Sequence, residues 1–237
     1  MPEFRLPGPT DRTWIAGHTG SGKSHAALWL LSHQDYDRRP WIVLDFKGEN
    51  LIGGVPRIGR LRLTDRPPRR PGVYRLRYNP GDEPELEDFL WQVWRRGNIG
   101  IVVDEGHALP GDGGIRSDVV KALASQGRSK RIPMIVVSQR PAWISKFVTS
   151  QSDYIWTFKL SHRDDYKAIG ELIPGDIMAM VESLPDRHFI AHDVAKRATF
   201  HLLELPGRDS IYDRFDRRLP PSFWIDLPKA QRKWNTI

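Results

Sequence analysis

The 237-residue chain contains no cysteine. Disulfide frameworks, thiolate zinc sites and cysteine nucleophiles are therefore excluded. It also lacks any apolar run near the roughly 20 residues that a membrane-spanning helix needs. The N-terminus, with Arg5 among Pro2, Pro7 and Pro9, does not read as a signal peptide. A soluble, cytoplasmic protein is expected. Core-forming residues are not scarce: 39% hydrophobic against 27% charged is ordinary globular composition and excludes a wholly disordered chain. The length is about one and a half domains of ~150 residues, enough to bury a core without staples, so one domain with appendages is expected. Lys and Arg outnumber Asp and Glu by 36 to 29, and the net charge of +7 points towards a polyanionic partner.

Several segments read as strands. Thr13–Ala16 runs into a glycine-rich turn, and Trp41–Phe46 follows Pro40. Val73–Tyr78, Ile99–Val103, Met134–Val137 and Tyr154–Leu160 come later. Continuous apolar runs joined by helices are the mark of parallel strands buried on both faces. Helical spacing appears over Ser24–Leu31, Glu83–Arg96, Ser117–Gln126 and Asp164–Leu172. Phe189 and Ile190, then Phe200, Leu202 and Leu203, predict a closing hairpin around Asp193. The expected architecture is α/β, three-layered, with a mainly parallel central sheet. Residues 1–205 read as the main domain, 53–80 as an Arg/Pro-rich insertion within it, and 206–237 as a basic, aromatic C-terminal arm with no core of its own. That arm carries Tyr212, Phe215, Phe223, Trp224 and Trp234.

Gly17, His18, Thr19, Gly20, Ser21, Gly22, Lys23 and Ser24 spell G-x-x-x-x-G-K-[ST] without a mismatch, between a strand and a helix. Glycines let successive backbone N–H groups curl towards a phosphate, and the helix N-terminus adds partial positive charge. Lys23 supplies a point charge to the β- and γ-phosphates, and Ser24 a hydroxyl to Mg²⁺. These residues predict a nucleoside triphosphate site. Asp104 and Glu105 end the apolar strand Ile99–Val103, at the sheet edge where ligands of open α/β sheets sit. Asp104 is assigned to Mg²⁺ through its water shell, and Glu105 to polarising the attacking water. A carboxylate in that second position favours hydrolysis over phosphoryl transfer, because a kinase must exclude water. His107 makes the local sequence resemble a D-E-x-H helicase box, but the chain is too short for two motor domains, and His107 is read as a loop residue. Gln139, at the end of Met134–Val137, has a donor and an acceptor to offer the lytic water or γ-phosphate.

Gly17–Ser24, Asp45-Phe46-Lys47-Gly48, Asp104-Glu105, Gly127-Arg128 and Ser138-Gln139-Arg140-Pro141, in that order, resemble the FtsK/HerA superfamily of P-loop DNA-pumping ATPases. The likeness covers about residues 10 to 205. The segment has none of the additional domains of FtsK or HerA, and is most similar to the compact genome-packaging ATPases of viruses. Ser138 stands where family members often have threonine. The resemblance implies a RecA/FtsK-like P-loop fold, ATP and Mg²⁺ as cofactors, and translocation of double-stranded DNA into a capsid. It further implies a homo-oligomeric ring, usually a hexamer, docked at a capsid or portal vertex, in host cytoplasm or virion. It also implies a basic residue contributed by the neighbouring subunit, for which Arg163, Lys167 and Arg128 all stand as candidates, each otherwise a solvated side chain.

Arg57, Arg60, Arg62, Arg66, Arg69, Arg70, Arg75 and Arg77 crowd one short stretch. They form either a DNA-phosphate contact, chiefly through Arg57, Arg60, Arg62, Arg69 and Arg70, or a solvated insertion with incidental charge. The loop Gly106–Ile115 is a second DNA candidate through the backbone of Gly111, Gly113 and Gly114. Trp29, Trp91, Trp94, Trp143 and Trp156 are read as core or interface. Three rivals share parts of this pattern: a conjugation- or filamentous-phage-type export ATPase, a P-loop kinase, and a nucleic-acid-binding structural protein with a vestigial nucleotide site. Lack of a membrane helix disfavours the first, Glu105 and the lack of a lid signature the second, and the complete set Lys23, Ser24, Asp104 and Glu105 the third.

Overall fold

Runs that are apolar on both faces become the central strands, and the spaced apolar stripes become the helices that cover them. The computed structural model describes residues 4–110, 117–144, 146–202 and 205–218. Nine strands form one sheet: β1 (Arg12–Ala16), β2 (Pro40–Asp45), β3 (Gly59–Leu61), β4 (Gly72–Arg77), β5 (Gly100–Val103), β6 (Met134–Ser138), β7 (Tyr154–Phe158), β8 (Phe189–Asp193) and β9 (Ala198–Leu202). Their order is β3-β4-β2-β5-β6-β1-β7-β8-β9. Every pairing from β3 to β7 is parallel, and only β7–β8 and β8–β9 are antiparallel. The parallel strands therefore deliver their C-terminal ends to one edge. β2, β5, β6 and β7 are buried at every position, which is why they read as unbroken apolar runs.

The helices are α1 (Lys23–Ser32), α2 (Asn50–Gly53), α3 (Glu83–Arg96), α4 (Asp118–Gln126), α5 (Lys146–Ser150), α6 (Arg163–Gly170), α7 (Ile177–Glu182) and α8 (Arg208–Arg218). α1 and α8 cover one sheet face, where Ala26, Leu30, Ile211 and Phe215 pack with Ile15, Val43 and Trp156. α3, α4, α6 and α7 cover the other, where Phe89, Leu123, Ile169 and Val181 pack with Trp14, Ile42 and Val136. α3 forms where the sequence predicts it. Leu86, Phe89, Leu90 and Val93 make its buried stripe, Pro84 stands in the first turn with Glu83 and Glu85, and Arg95 and Arg96 complement the dipole at its end. Among the described residues, no helix is long and apolar enough to cross a membrane.

One expectation is borne out and one needs correction. Within segment 53–80, read as Arg/Pro-rich, the strand expected over Val73–Tyr78 forms as β4 (Gly72–Arg77). The segment also supplies β3, and β4 is registered along all of β2 from Pro40↔Gly72 to Asp45↔Arg77. Val73, Tyr74, Leu76 and Tyr78 are buried, and the intervening Arg75 is bound by Asp45. The chain after Pro206, by contrast, does not begin an arm without contact to the core. Ile211 and Phe215 of α8 are buried, and Phe215 lies 5.2 Å from Tyr36, centroid to centroid. Arg214 and Arg218 donate to the carbonyl of Ser32, and Arg218 also to that of Gln34, satisfying groups left open at the end of α1. Phe223, Trp224 and Trp234 lie outside the described residues, as do Gly111, Gly113 and Gly114. Trp156 is buried and Trp29, Trp91 and Trp94 are partly buried, whereas Trp143 is 58% exposed.

Candidate active site

The glycine-rich loop leaves β1 at the common edge and is tied to its neighbours by backbone. Gly17 N–H donates to Ser138 O (3.2 Å) at the end of β6, and His18 N–H to Lys159 O (2.9 Å) just past β7. Gly22 caps α1 with φ +104°, a conformation that L side chains rarely adopt. At Gly17 a Cβ would fall 2.6 Å from Phe158 Cβ, so the loop can pass only as glycine. Lys23 Nζ donates to His18 O at 2.6 Å and thus spans the mouth of the loop.

Ser24 Oγ donates to Asp104 Oδ1 at 2.8 Å, joining the start of α1 to the end of β5. Asp104 Oδ2 and Ser21 Oγ are buried without a hydrogen-bond partner among the described residues. Buried polar atoms left so are costly unless something else arrives to meet them. Burial pushes the Asp104 carboxyl up to about 7; Glu49 and Glu105 add to the rise and the Ser24 hydrogen bond opposes it. Burial also pulls the Lys23 ammonium down to about 8, opposed mainly by Glu105 and assisted by Lys47. Both charges are held in a setting that disfavours them, which a polyphosphate beside Lys23 and a cation beside Asp104 would relieve.

Glu105 is 1% exposed but well supplied with partners. Lys47 Nζ forms an ion pair with its Oε1, and Gln139 Nε2 donates to the same oxygen at 2.6 Å. His107 Nδ1 lies 3.0 Å from Oε2, within ion-pair reach although not aligned as a hydrogen bond. The Gln139 carbonyl in turn accepts from Thr19 Oγ1 at 2.8 Å, so one amide links the phosphate loop to Glu105. Below Lys47, Asp45 Oδ1 accepts from the N–H groups of Gly48 (2.8 Å) and Glu49 (3.1 Å), shaping the turn that aims the lysine. Sequence reasoning assigned no role to Lys47 and read His107 as a loop residue. The Asp45-Phe46-Lys47-Gly48 motif was a usable signal, but only the adjacency of β2 and β5 brings Lys47 to Glu105.

No family model matches the chain. Over 221 residues the chain is 36% identical to the DNA packaging ATPase P9 of Enterobacteria phage PRD1, across 90% of this chain and 95% of that protein. The chain belongs to the P9 family. Among solved structures, the genome packaging NTPase B204 of Sulfolobus turreted icosahedral virus 2, in complex with ATP-gammaS, matches with a TM-score of 0.67. It is 17% identical and is covered completely by 84% of this chain. EccC of Thermomonospora curvata (ATPases 2 and 3) matches at 0.61 with 14% identity, over 91% of this chain and 42% of that one. These two likenesses establish the P-loop NTPase fold, as the glycine-rich loop predicted.

In this P9-family chain the remaining predicted residues separate into groups. Arg163 and Lys167 lie exposed on α6, which follows β7 at the same edge as the phosphate loop, and among the described residues neither forms an ion pair. Arg128 stands at the opposite edge, where its guanidinium binds Asp153 at 2.7 Å beside Arg12 at the start of β1. Arg140 is turned to Asp165 (3.0 Å) and lies over the Trp143 ring, away from the loop. Of the arginines considered for DNA, Arg60, Arg62, Arg69 and Arg70 are exposed on the β3–β4 side of the sheet, whereas Arg57 is paired with Asp216 at 2.8 Å.

Proposed function

We propose that the chain hydrolyses ATP to drive double-stranded DNA into a viral capsid. The observation that carries this is the coupled site on a P9-family fold: Ser24 bonded to Asp104, with Glu105 held next to it by Gln139 and Lys47. Lys23 leaves His18 O to meet the β- and γ-phosphates, and the loop N–H groups receive the remaining charge. Glu105, buried beside Lys47 and His107, accepts the proton of the attacking water. Gln139 lies between Thr19 and Glu105, where an amide orients that water against the γ-phosphate.

Mg²⁺ fits the oxygen donors present. Asp104 has one carboxylate oxygen on Ser24 and one buried without a partner among the described residues, and with the Ser24 hydroxyl it offers the hard oxygen ligands Mg²⁺ takes alongside phosphate and water. Bound there, the ion would neutralise developing charge on the phosphates. Ser24 and Asp104 would hold it, and with the ion in place Asp104 is ionised.

The working form is a homo-oligomeric ring, a hexamer, docked at a capsid or portal vertex in the host cytoplasm or the virion. Each site is completed by a cation from the next subunit. Arg163 and Lys167 are favoured for this part by their exposure and their edge, while Arg128 is tied to Asp153. Translocation is tested with a linear duplex carrying a third-strand oligonucleotide. ATP-dependent release of that strand by wild type, with none by Lys23→Ala, is the expected result. Hydrolysis without release would remove translocation while leaving the ATPase.

A further inference from the structure

Arg140, in the Ser138-Gln139-Arg140-Pro141 motif, takes no part in binding phosphate or activating water. Its neighbour Gln139 turns to Thr19 and Glu105. Arg140 turns the other way, to α6, where its Nε donates to Asp165 Oδ2 at 3.0 Å. Asp165 Oδ1 accepts from Ala142 N–H, also at 3.0 Å, so one carboxylate grips the chain on both sides of Pro141. The guanidinium lies over the Trp143 indole, 4.3 Å from the ring centroid. Asp165 is 1% exposed. A buried carboxylate is costly unless it is paired and hydrogen-bonded, and both oxygens are engaged here.

Asp165 stands in the first turn of α6, two residues after Arg163 and two before Lys167. Helical residues four apart share a face, and residues two apart lie nearly opposite. α6 therefore has a buried side held by Asp165 and an exposed side that carries Arg163 and Lys167. Tyr166 Oη donates to Leu160 O at 3.0 Å and fastens the same helix to the chain past β7. Resting on the reading that a cation from the neighbouring subunit completes each site, we propose that Asp165 is a positioning residue. It joins the stretch that touches Glu105 in one site to the helix that faces the next. Gln139 and the cations of α6 are thus parts of one tied body. A shift of Gln139 when the γ-phosphate leaves is carried by Arg140 to Asp165, and so to the start of α6. The state of one nucleotide site then sets where Arg163 and Lys167 stand towards the site beside it, which is a coupling between sites.

Asp165→Asn tests this with little change of shape. The amide oxygen can still accept from Ala142 N–H, while the ion pair with Arg140 is lost. Should that variant fail to fold, Arg140→Gln breaks the same pair from the other side. Two measurements are made on the intact chain hydrolysing ATP with duplex DNA present. In the first, kcat should fall by about fivefold or more with KM within about twofold, because a displaced cation is missed only in the transition state. In the second, Glu105→Gln subunits are mixed into the ring at constant total protein, live and dead subunits both carrying the substitution under test. Coupled sites make wild-type activity fall faster than the fraction of intact subunits, to about a quarter or less at equal mixing, where independent sites keep about half. Asp165→Asn should straighten that curve, and Arg140→Lys, which keeps the charge, should retain part of the wild-type curvature. A contact that serves the fold alone would lower the melting temperature and leave kcat and the mixing curve unmoved. That result would overturn the assignment, as would a straight wild-type line from intact rings. A wild-type monomer in sedimentation would instead overturn the ring reading beneath it.

Discussion

The side-chain amide of Gln139 donates a 2.6 Å hydrogen bond to Oε1 of Glu105, the same oxygen that Lys47 engages. The carboxylate assigned to activate water is thus fixed from β6 and from the end of β2 at once. Removing the base and removing its supports should look different. Glu105→Gln should bind ATP with affinity within about threefold of wild type and lose at least about a hundredfold in kcat, whereas Lys23→Ala should lose binding. Lys47→Met should lower kcat by about tenfold or more with little change in KM, and Lys47→Arg should recover part of it. Steady-state kinetics with equilibrium binding separate these cases; a Lys47→Met enzyme with normal kcat would leave Lys47 a structural ion pair only.

Lys23 gives nucleotide binding a pH dependence of known sign. In the free protein its ammonium is pulled by burial to about 8, below the ordinary 10.5, and a bound polyphosphate favours the charged form. Binding therefore raises its pKa, takes up a proton in the window above 8, and weakens as pH rises through it. Calorimetry of metal-free ATP binding at pH 8.5, in two buffers of different ionisation enthalpy, should show net proton uptake. Equal heats in the two buffers would remove the linkage. At pH 8.5 the Asp104 carboxyl, pushed to about 7, is already ionised and has no proton to release.

The exposed arginines of the β3–β4 side make a separate prediction about DNA. Replacing Arg60, Arg62 and Arg69 by Ala should flatten the slope of log affinity against log salt by up to about 0.9 per lost phosphate contact. Affinity should fall alike for unrelated sequences, because phosphate contacts carry no base information. Arg57→Ala should change the slope little, its guanidinium being engaged by Asp216. A slope unaltered by the triple replacement would make this edge incidental charge.

Sites shared across a ring predict complementation. Arg163→Ala and Glu105→Gln subunits, each inactive alone, should regain part of the activity when mixed, because some interfaces join an intact Glu105 to an intact Arg163. If Lys167 or Arg128 is the contributing residue instead, Arg163→Ala will be active by itself. No recovery at any ratio, with an active monomer in sedimentation, would contradict the ring.

Local patterns were the legible part of this chain. α3 can be read to its end residues because its stripe, first-turn acids and last-turn bases all lie within fourteen consecutive positions. The phosphate loop and the Asp104-Glu105 pair are equally self-contained. β4 is legible as a strand at Val73–Tyr78, but its place inside the sheet is not, because its burial comes from β2, some thirty residues earlier in sequence. α8 fully buries only Ile211 and Phe215 among nine charged or polar residues, a stripe too thin to separate from a charged tail. The Lys47–Glu105 contact depends wholly on which strands are neighbours, a relation no local window contains.

The central claim is that ATP hydrolysis is coupled to duplex DNA, and hydrolysis by the purified protein with and without long duplex DNA tests it most directly. The account predicts a clear stimulation by DNA, absent in Lys23→Ala and Glu105→Gln and diminishing as salt rises. A hydrolysis rate indifferent to DNA at every salt concentration would contradict it.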